Sequence, residues 1–266
     1  SSESIFELQF DGTVNSNTMV QNFYQKPDKN GVLVPSVIAT TLSSSADDAS
    51  NAALFSKTDL RRWASIQDAG DDSYVIVKYA ASAIEQSALS DNTDVSGRKA
   101  PVYTVGATAN ANWIFYRLTD VLLMKAEAMC MIGTDLQGAF ELVKAVNERA
   151  NAYAKESEKL PDSRASNKDE LEGLILRERN REFFGEGKRW FDLVRYAMRK
   201  GEADGPTKAF EIFGKKFLGT QASTAKNKYK QSMKVMYSPY AESEMKANPE
   251  LVQNPIWDDQ STIQKK

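Results

Sequence analysis

Glu178 and Glu182 stand one helical turn apart inside RERNREFFGEGKRW, residues 177–190, a segment with eight charges in fourteen positions. Two carboxylates close together are what glycoside hydrolysis needs, provided that one has its pKa raised so that it can give up a proton. Arg177, Arg179 and Arg181 lie within a turn of both glutamates, and neighbouring cations favour the ionised form. Arginine forks can hold carboxylates through paired hydrogen bonds, so the segment reads as a partly buried ion network that fixes how helices dock, and not as an acid–base pair. Histidine is absent and Cys130 is the single cysteine. Internal disulfides, zinc held by thiolates and imidazoles, and Ser-His-Asp or Cys-His nucleophiles are thereby excluded. DAGDDS at 68–73 supplies Asp68, Asp71 and Asp72, but without the alternating ligand spacing of an EF-hand loop it reads as an acidic turn. Oxygen ligands leave calcium open; no cofactor is implied.

Ligand binding without catalysis asks for other residues. A sugar ring offers C–H faces that stack on aromatic planes and hydroxyls that need placed polar partners. The first part of the chain carries such a set in Tyr24, Asp28 and Asn30, then Trp63 and Tyr74. A lone Trp or Tyr is more often packing than platform. Tyr24 and Trp63 are the best placed, because both sit among loop residues, whereas Trp190 falls on an apolar helical stripe and reads as structural. Residues 1–112 hold 13 acids and 8 bases, and the remainder is mildly basic. Neither part is polarised enough to argue for nucleic acid, and the lysines from Lys208 to Lys234 are dispersed among aromatics as on a solvated surface.

The elements that must position these residues follow from periodicity. SIFELQF alternates and ends at Asp11-Gly12, a short strand with Ile5, Leu8 and Phe10 among its apolar positions. From there to residue 112 the chain is rich in Ser, Thr, Asn, Asp and Gly, broken by short patterned pieces such as DLRRWASI and SYVIVKY. YRLTDVLLMKAEAMCMIGTD predicts a helix with Leu118, Val121, Leu122, Ala126, Met129 and Ile132 as its buried stripe, stopped by Gly133. A second helix with Leu136, Ala139, Phe140, Val143 and Ala150 follows a Thr134 or Asp135 cap, and the short link makes an antiparallel hairpin. After a polar linker, Ser166 or Asn167 caps a helix through KDELEGLILRERNREFF, whose stripe of Leu171, Leu174 and Ile175 turns acidic at Glu178 and Glu182. Gly185 and Gly187 bracket the turn into KRWFDLVRYAMRKG, which completes a second hairpin. The expected fold is mainly α: tetratricopeptide-like helical hairpins over 113–201, a large irregular, loop-rich, ligand-facing region over 1–112 with few short strands, and an irregular C-terminal clasp over 202–266. No run of eighteen apolar residues and no signal-peptide start occurs in it.

LRERNREFFGEGKRWFDLVR resembles the hallmark segment of the SusD/RagB family, an arginine- and glutamate-rich helix followed by a glycine turn into an aromatic helix. ESIFELQF, YRLTDVLLMKAEA and the closing NPELVQNPIW are similar to three further family segments, in the same order. The resemblance implies a non-catalytic lipoprotein on the surface of the outer membrane of Bacteroidetes-type bacteria. Such a protein binds an oligosaccharide or polysaccharide and serves as a lid for a SusC-like TonB-dependent transporter, to which it delivers its ligand. A peptide-binding or protein-interaction scaffold of the same family is the alternative. Ligand contacts are expected in the irregular region, which keeps Tyr24, Trp63, Asp28, Asn30 and Tyr74 as the candidate site. Because ESIFELQF lies well inside family members, the chain is expected to correspond to their C-terminal half, the lipid anchor being on the other half. NPELVQNPIW is expected to be an ordered clasp, since Pro249 and Pro255 restrict the asparagines before them.

Overall fold

A computed structural model describes residues 3–17, 37–46, 53–70, 73–79, 110–214, 219–229 and 232–254. The protein is mainly helical, as expected, and divides into two compact units, residues 1–189 and 190–266. In the first unit the order is β1 (Ser4–Leu8), α1 (Val37–Thr40), β2 (Leu42–Ser43), β3 (Phe55–Ser56), α2 (Leu60–Ser65), β4 (Ile66–Gly70), β5 (Ser73–Ile76), β6 (Trp113–Arg117), α3 (Leu118–Ile132), α4 (Leu136–Ala150) and α5 (Lys168–Glu182). Among the described residues the strands are short and pair in twos: β1 antiparallel to β6, β2 parallel to β3, β4 antiparallel to β5. No described helix is long and apolar enough to cross a membrane.

The helical core is made by α3, α4 and α5. Its first hairpin turns where the sequence places the turn: Gly133, at φ 81°, sits in the left-handed region as the cap of α3, a conformation glycine adopts without a Cβ penalty. Two residues later Asp135 caps α4 by accepting from the Gly138 amide at 2.8 Å. Asn167 caps α5 in the same manner, accepting from the amides of Asp169 and Glu170 at 2.9 and 3.2 Å. Leu123, Ala126 and Cys130 of α3 meet Ala139, Phe140 and Val143 of α4 and Leu171, Leu174 and Ile175 of α5, all buried. Every stripe residue expected on α5, including Glu178 and Glu182, faces inward.

For α3 the phase differs from the expected one. Its buried side is Thr119, Asp120, Leu123, Ala126 and Cys130, whereas Leu118, Val121 and Ile132 are exposed, Ile132 at 70%. Apolar residues surround this helix almost completely, so hydrophobicity alone does not fix its rotation. Asp120 does: it turns inward to take the guanidinium of Arg179 at 2.9 Å, and Lys188 binds its other oxygen. On β1 the apolar side chains are likewise outward, Ile5, Phe6 and Leu8 each being more than half exposed. Pairing with β6 alone gives this strand no layer to cover them.

Two smaller clusters hold the loop-rich part. Ala39, Leu54, Phe55 and Ile66 form one, and Ile76 and Val77 the other, and Phe184 packs against both. Its neighbour Phe183 is buried in the helical core. The Phe183-Phe184 pair at the end of α5 therefore serves both packing systems at once. Behind it, Gly185 and Gly187 adopt φ of 76° and 74°, so the turn they bracket uses backbone that other residues rarely enter.

The second unit contains α6 (Arg189–Lys200), α7 (Gly205–Phe213), α8 (Gly219–Tyr229) and α9 (Glu242–Ala247). Helices thus occupy a stretch expected to be irregular; Phe210, Phe213 and Tyr229 supply the apolar spacing. Trp190 is structural, its indole Nε1 donating to the Met236 carbonyl at 2.9 Å and its ring meeting Phe213 and Tyr229 edge-on. Farther on, Gln253 accepts from the Tyr240 amide at 2.9 Å and donates to the Tyr240 carbonyl at 3.1 Å. Described NPELVQN is thereby fastened to the residues before α9, while Pro255, Ile256 and Trp257 lie outside the described residues.

Leu174 is fully buried where all three helices meet. Leu174→Ala is expected to cost about 2–5 kcal/mol of stability, the range for a leucine truncated in a core that relaxes only partly. Denaturant unfolding of the purified variant checks it.

Candidate functional site

The charged segment that opens the catalytic question folds into the centre of the first unit. Glu178 is completely buried and Glu182 is 3% exposed. Arg61, from α2, reaches both through one nitrogen, Nη1, at 2.7 Å to Glu178 Oε1 and 2.9 Å to Glu182 Oε2. Asp59 holds that guanidinium in place: its carboxylate accepts from Arg61 Nε and Nη2 at 2.9 and 2.7 Å, and it also caps α2 by accepting from the Arg61 amide. The second oxygen of Glu178 accepts from Asn147 at 2.9 Å and Arg181 at 3.3 Å. The second oxygen of Glu182 accepts from Arg117 and Arg149, both at 2.6 Å. Glu186, just past the helix, takes Lys78 at 2.6 Å and Arg117 at 3.1 Å.

Most of these cations come from elsewhere in the chain, not from the arginines beside the glutamates. Arg181 does bind Glu178, but Arg179 serves Asp120. The network consequently joins α5 to α2, to the end of β5, to the end of β6 and to α4. Phe183 lies among its cations: Arg117 and Lys188 approach its ring centre at 4.7 Å and Arg179 at 5.0 Å, a geometry in which the ring quadrupole attracts positive charge.

Chemistry at the pair follows from this wiring. Burial pushes the Glu182 carboxyl up, but Arg61 and Arg117 outweigh it and hold the group down at about 2. Burial acts likewise on Glu178, and Arg61 and Arg181 bring it below the ordinary carboxylate range. Both are therefore ionised at neutral pH and have no proton to donate, while every oxygen already has a cation or amide partner. The described residues contain no group of three or more His, Cys, Asp or Glu placed to hold a metal ion.

Of the five candidate ligand residues, Tyr24, Asp28 and Asn30 lie outside the described residues. Trp63 and Tyr74 are described, each half-buried, and the structure brings them together. Arg62 lies between them, its guanidinium 5.4 Å from the Trp63 ring centre and 5.8 Å from that of Tyr74. Arg62 is itself buried and donates through Nη1 to the Ile66 carbonyl. Trp63 Nε1 is buried with no acceptor among the described residues. Tyr74 also packs against the Leu54–Phe55–Ile66 cluster. Asp68 of the acidic turn stands opposite Tyr74 in the β4–β5 register, and Asp71 and Asp72 lie outside the described residues.

A second aromatic pair escaped the sequence reading. Tyr79 stacks on Trp113 with ring centres 5.2 Å apart, and its backbone sits at φ 68°, a left-handed conformation that costs a non-glycine residue about 1–3 kcal/mol. Nothing in the local sequence signals this pairing, because the partners are thirty-odd residues apart. Arg62 could have been noticed, since DLRRWASI sets it beside Trp63.

The sequence model of the SusD family matches residues 2–257. The chain is 42% identical over 87 residues to SusD-like protein P38 of Formosa agariphila, covering 32% of this chain and 17% of that protein. It is 33% identical over 93 residues to SusD-like protein P2 of the same organism, covering 35% and 18%. In fold it is similar to a SusD homologue from Bacteroides thetaiotaomicron (TM-score 0.55, 22% identity, 96% of this chain and 52% of that one). Surface glycan-binding protein A from Bacteroides uniformis is similar too (TM-score 0.53, 22% identity, 96% and 49%). The chain spans about half the length of these solved relatives.

The linkage of Glu182 to pH has a definite sign. A carboxylate whose folded pKa is lowered from 4.5 to about 2 contributes stability that is fully present above pH 4.5 and is lost as pH falls towards 2. Glu182→Gln is expected to be less stable than the parent at pH 7 and to show a flatter stability profile across that window, measured by urea unfolding at a series of pH values. Glu182→Ala should cost roughly 3–5 kcal/mol, because Arg61 and Arg117 are left buried and undercompensated; an unchanged melting temperature contradicts it.

Proposed function

The chain belongs to the SusD family, and from that premise we propose that it is a non-catalytic glycan-binding protein of the cell surface that passes oligosaccharide to a SusC-like TonB-dependent transporter at the outer membrane. The observation that carries the reading is the Trp63–Arg62–Tyr74 arrangement in the loop-rich part of the chain. Two half-buried rings share one buried cation, which orders both and leaves ring surface for the C–H face of a sugar. Tyr24, Asp28 and Asn30 are proposed to complete the site with a further platform and polar partners.

Absence of turnover is part of the same proposal. Glu178 and Glu182 are the carboxylate pair that resembles a hydrolase's, and both are held ionised inside a saturated network, out of reach of a substrate. Recognition is expected to be calcium-independent and shallow, with stacking reporting ring shape and neighbouring polar groups setting linkage. A peptide ligand is the competing outcome.

Affinity electrophoresis against plant, host and microbial glycans selects the ligand; calorimetry then tests the site. A stacked aromatic contributes about 0.5–1.5 kcal/mol beyond area burial, so Trp63→Ala and Tyr24→Ala should each weaken binding several-fold with an unchanged far-UV spectrum. Parent-like affinity in both folded variants removes these residues from the site. Binding of peptides in place of every glycan overturns the ligand class.

A further inference from the structure

Helix α2 is six residues long, and its buried residues are Arg62 and Ser65. A helix ordinarily takes its orientation from an apolar stripe laid on a core. This one turns no large apolar side chain fully inward, Leu60 and Trp63 both being half-buried. Polar fastenings hold it instead. At its end the Ser65 carbonyl accepts from the Val77 amide at 2.8 Å, and Arg62 donates to the Ile66 carbonyl. At its start Asp59 caps the first turn, accepting from the Arg61 amide at 3.0 Å, and grips the Arg61 guanidinium through Nε and Nη2. The remaining nitrogen, Nη1, is seated between Glu178 and Glu182 of α5. Three carboxylates thus hold one side chain, itself only 13% exposed, of a helix that apolar packing does not orient.

Residues two apart on an α-helix project about 200° from one another. Arg61 enters the ion network, so Trp63 departs from the opposite side of α2. Arg62, between them, brings its guanidinium within 5.4 Å of the Trp63 ring centre and 5.8 Å of that of Tyr74. Rotation of α2 about its axis would carry Trp63 past Arg62 and away from Tyr74. We propose that Arg61 is a positioning residue for ligand: by locking α2 against Glu178 and Glu182, it sets the angle between the Trp63 and Tyr74 rings without touching the glycan itself. The inference rests on the reading of Trp63 and Tyr74 as ligand residues. It gives the buried glutamates a part in recognition as well as in packing, since the precision of a site in the loop-rich part is then supplied by the helical core.

Two variants test it. Arg61→Lys keeps the charge, but a single ammonium cannot replace a planar fork that meets three carboxylates. Asp59→Asn is the milder change, keeping an oxygen for the cap while removing the charge that grips the fork. Both are made in the chain labelled with fluorotryptophan, whose four tryptophans give four fluorine NMR resonances, that of Trp63 being identified by its loss in Trp63→Phe. The Trp63 resonance is expected to shift or broaden in each variant while that of Trp190 stays in place. Leu123→Ala, a truncation in the buried core of α3, lowers stability away from α2 and should leave the Trp63 resonance unmoved. Binding is read by affinity electrophoresis in gels containing starch, xylan, galactomannan, pectic galactan or laminarin. Arg61→Lys should weaken retention several-fold, Trp63→Ala by at least as much, and the double variant no further than Trp63→Ala alone, because residues that act through one another are not additive. An unmoved Trp63 resonance in both variants, the same movement in Leu123→Ala, or an Arg61→Lys loss that recurs in full on top of Trp63→Ala overturns the proposal. Parent-like retention of Trp63→Ala, or a parent retained by none of the five polysaccharides, overturns the ligand reading on which it rests, and the fluorine spectra tell the two failures apart.

Discussion

One nitrogen of Arg61 bridges Glu178 and Glu182, and much of the first unit depends on that bridge. Charges this deeply buried are expensive to desolvate, and the cost is offset only when each has a close partner of opposite sign and its remaining hydrogen-bonding capacity is filled. Here that condition recruits the rest of the unit. Asp59 aligns the guanidinium, Asn147 and Arg181 complete Glu178, Arg117 and Arg149 complete Glu182, and Lys78 and Arg117 take Glu186. A helix whose apolar stripe turns acidic halfway along can remain buried only if those partners arrive from other elements. The network therefore links short elements that share almost no sheet and have little apolar surface of their own to offer.

This dependence also accounts for what was legible beforehand. Helix ends are local chemistry, so Gly133, Asp135 and Asn167 announced them, and the stripe of α5 could be followed residue by residue through Glu182. The family segments were legible for the same reason, being contiguous. Rotation of α3 was not, because apolar side chains on both its faces leave periodicity without a preferred side and an ion pair from Asp120 to Arg179 decides it. The partners of the buried glutamates were equally hidden. Arginines one turn away satisfy the charge count on paper, but Arg179 is committed to Asp120 while Arg181 joins Glu178, and Arg61, Arg117 and Arg149 become neighbours only after folding.

For the candidate site the division is similar. Trp63 and Tyr74 were readable as aromatics set among loop residues, but not as a pair, since their meeting depends on α2 leading directly into β4 and on the turn back into β5. Arg62 gives the pairing a physical basis: a buried cation held by a backbone carbonyl has two ring faces to interact with. Tyr79 and Trp113 show the opposite case, a close stack with a strained backbone and no local signature.

The first-unit network attaches the irregular part at a few single residues, chiefly Arg61, Lys78 and Arg117, and not along continuous strands. Lengthening a loop strung between such fixed points costs little, about 0.6 kcal/mol for each doubling, provided that the β4–β5 register is kept. A protein anchored in this way can accept insertions, deletions and new side chains between its moorings while the helical core stays as it is. Ligand preference could thus diverge quickly among descendants of one ancestor, whereas Arg61 and the two glutamates it bridges would be the positions slowest to change.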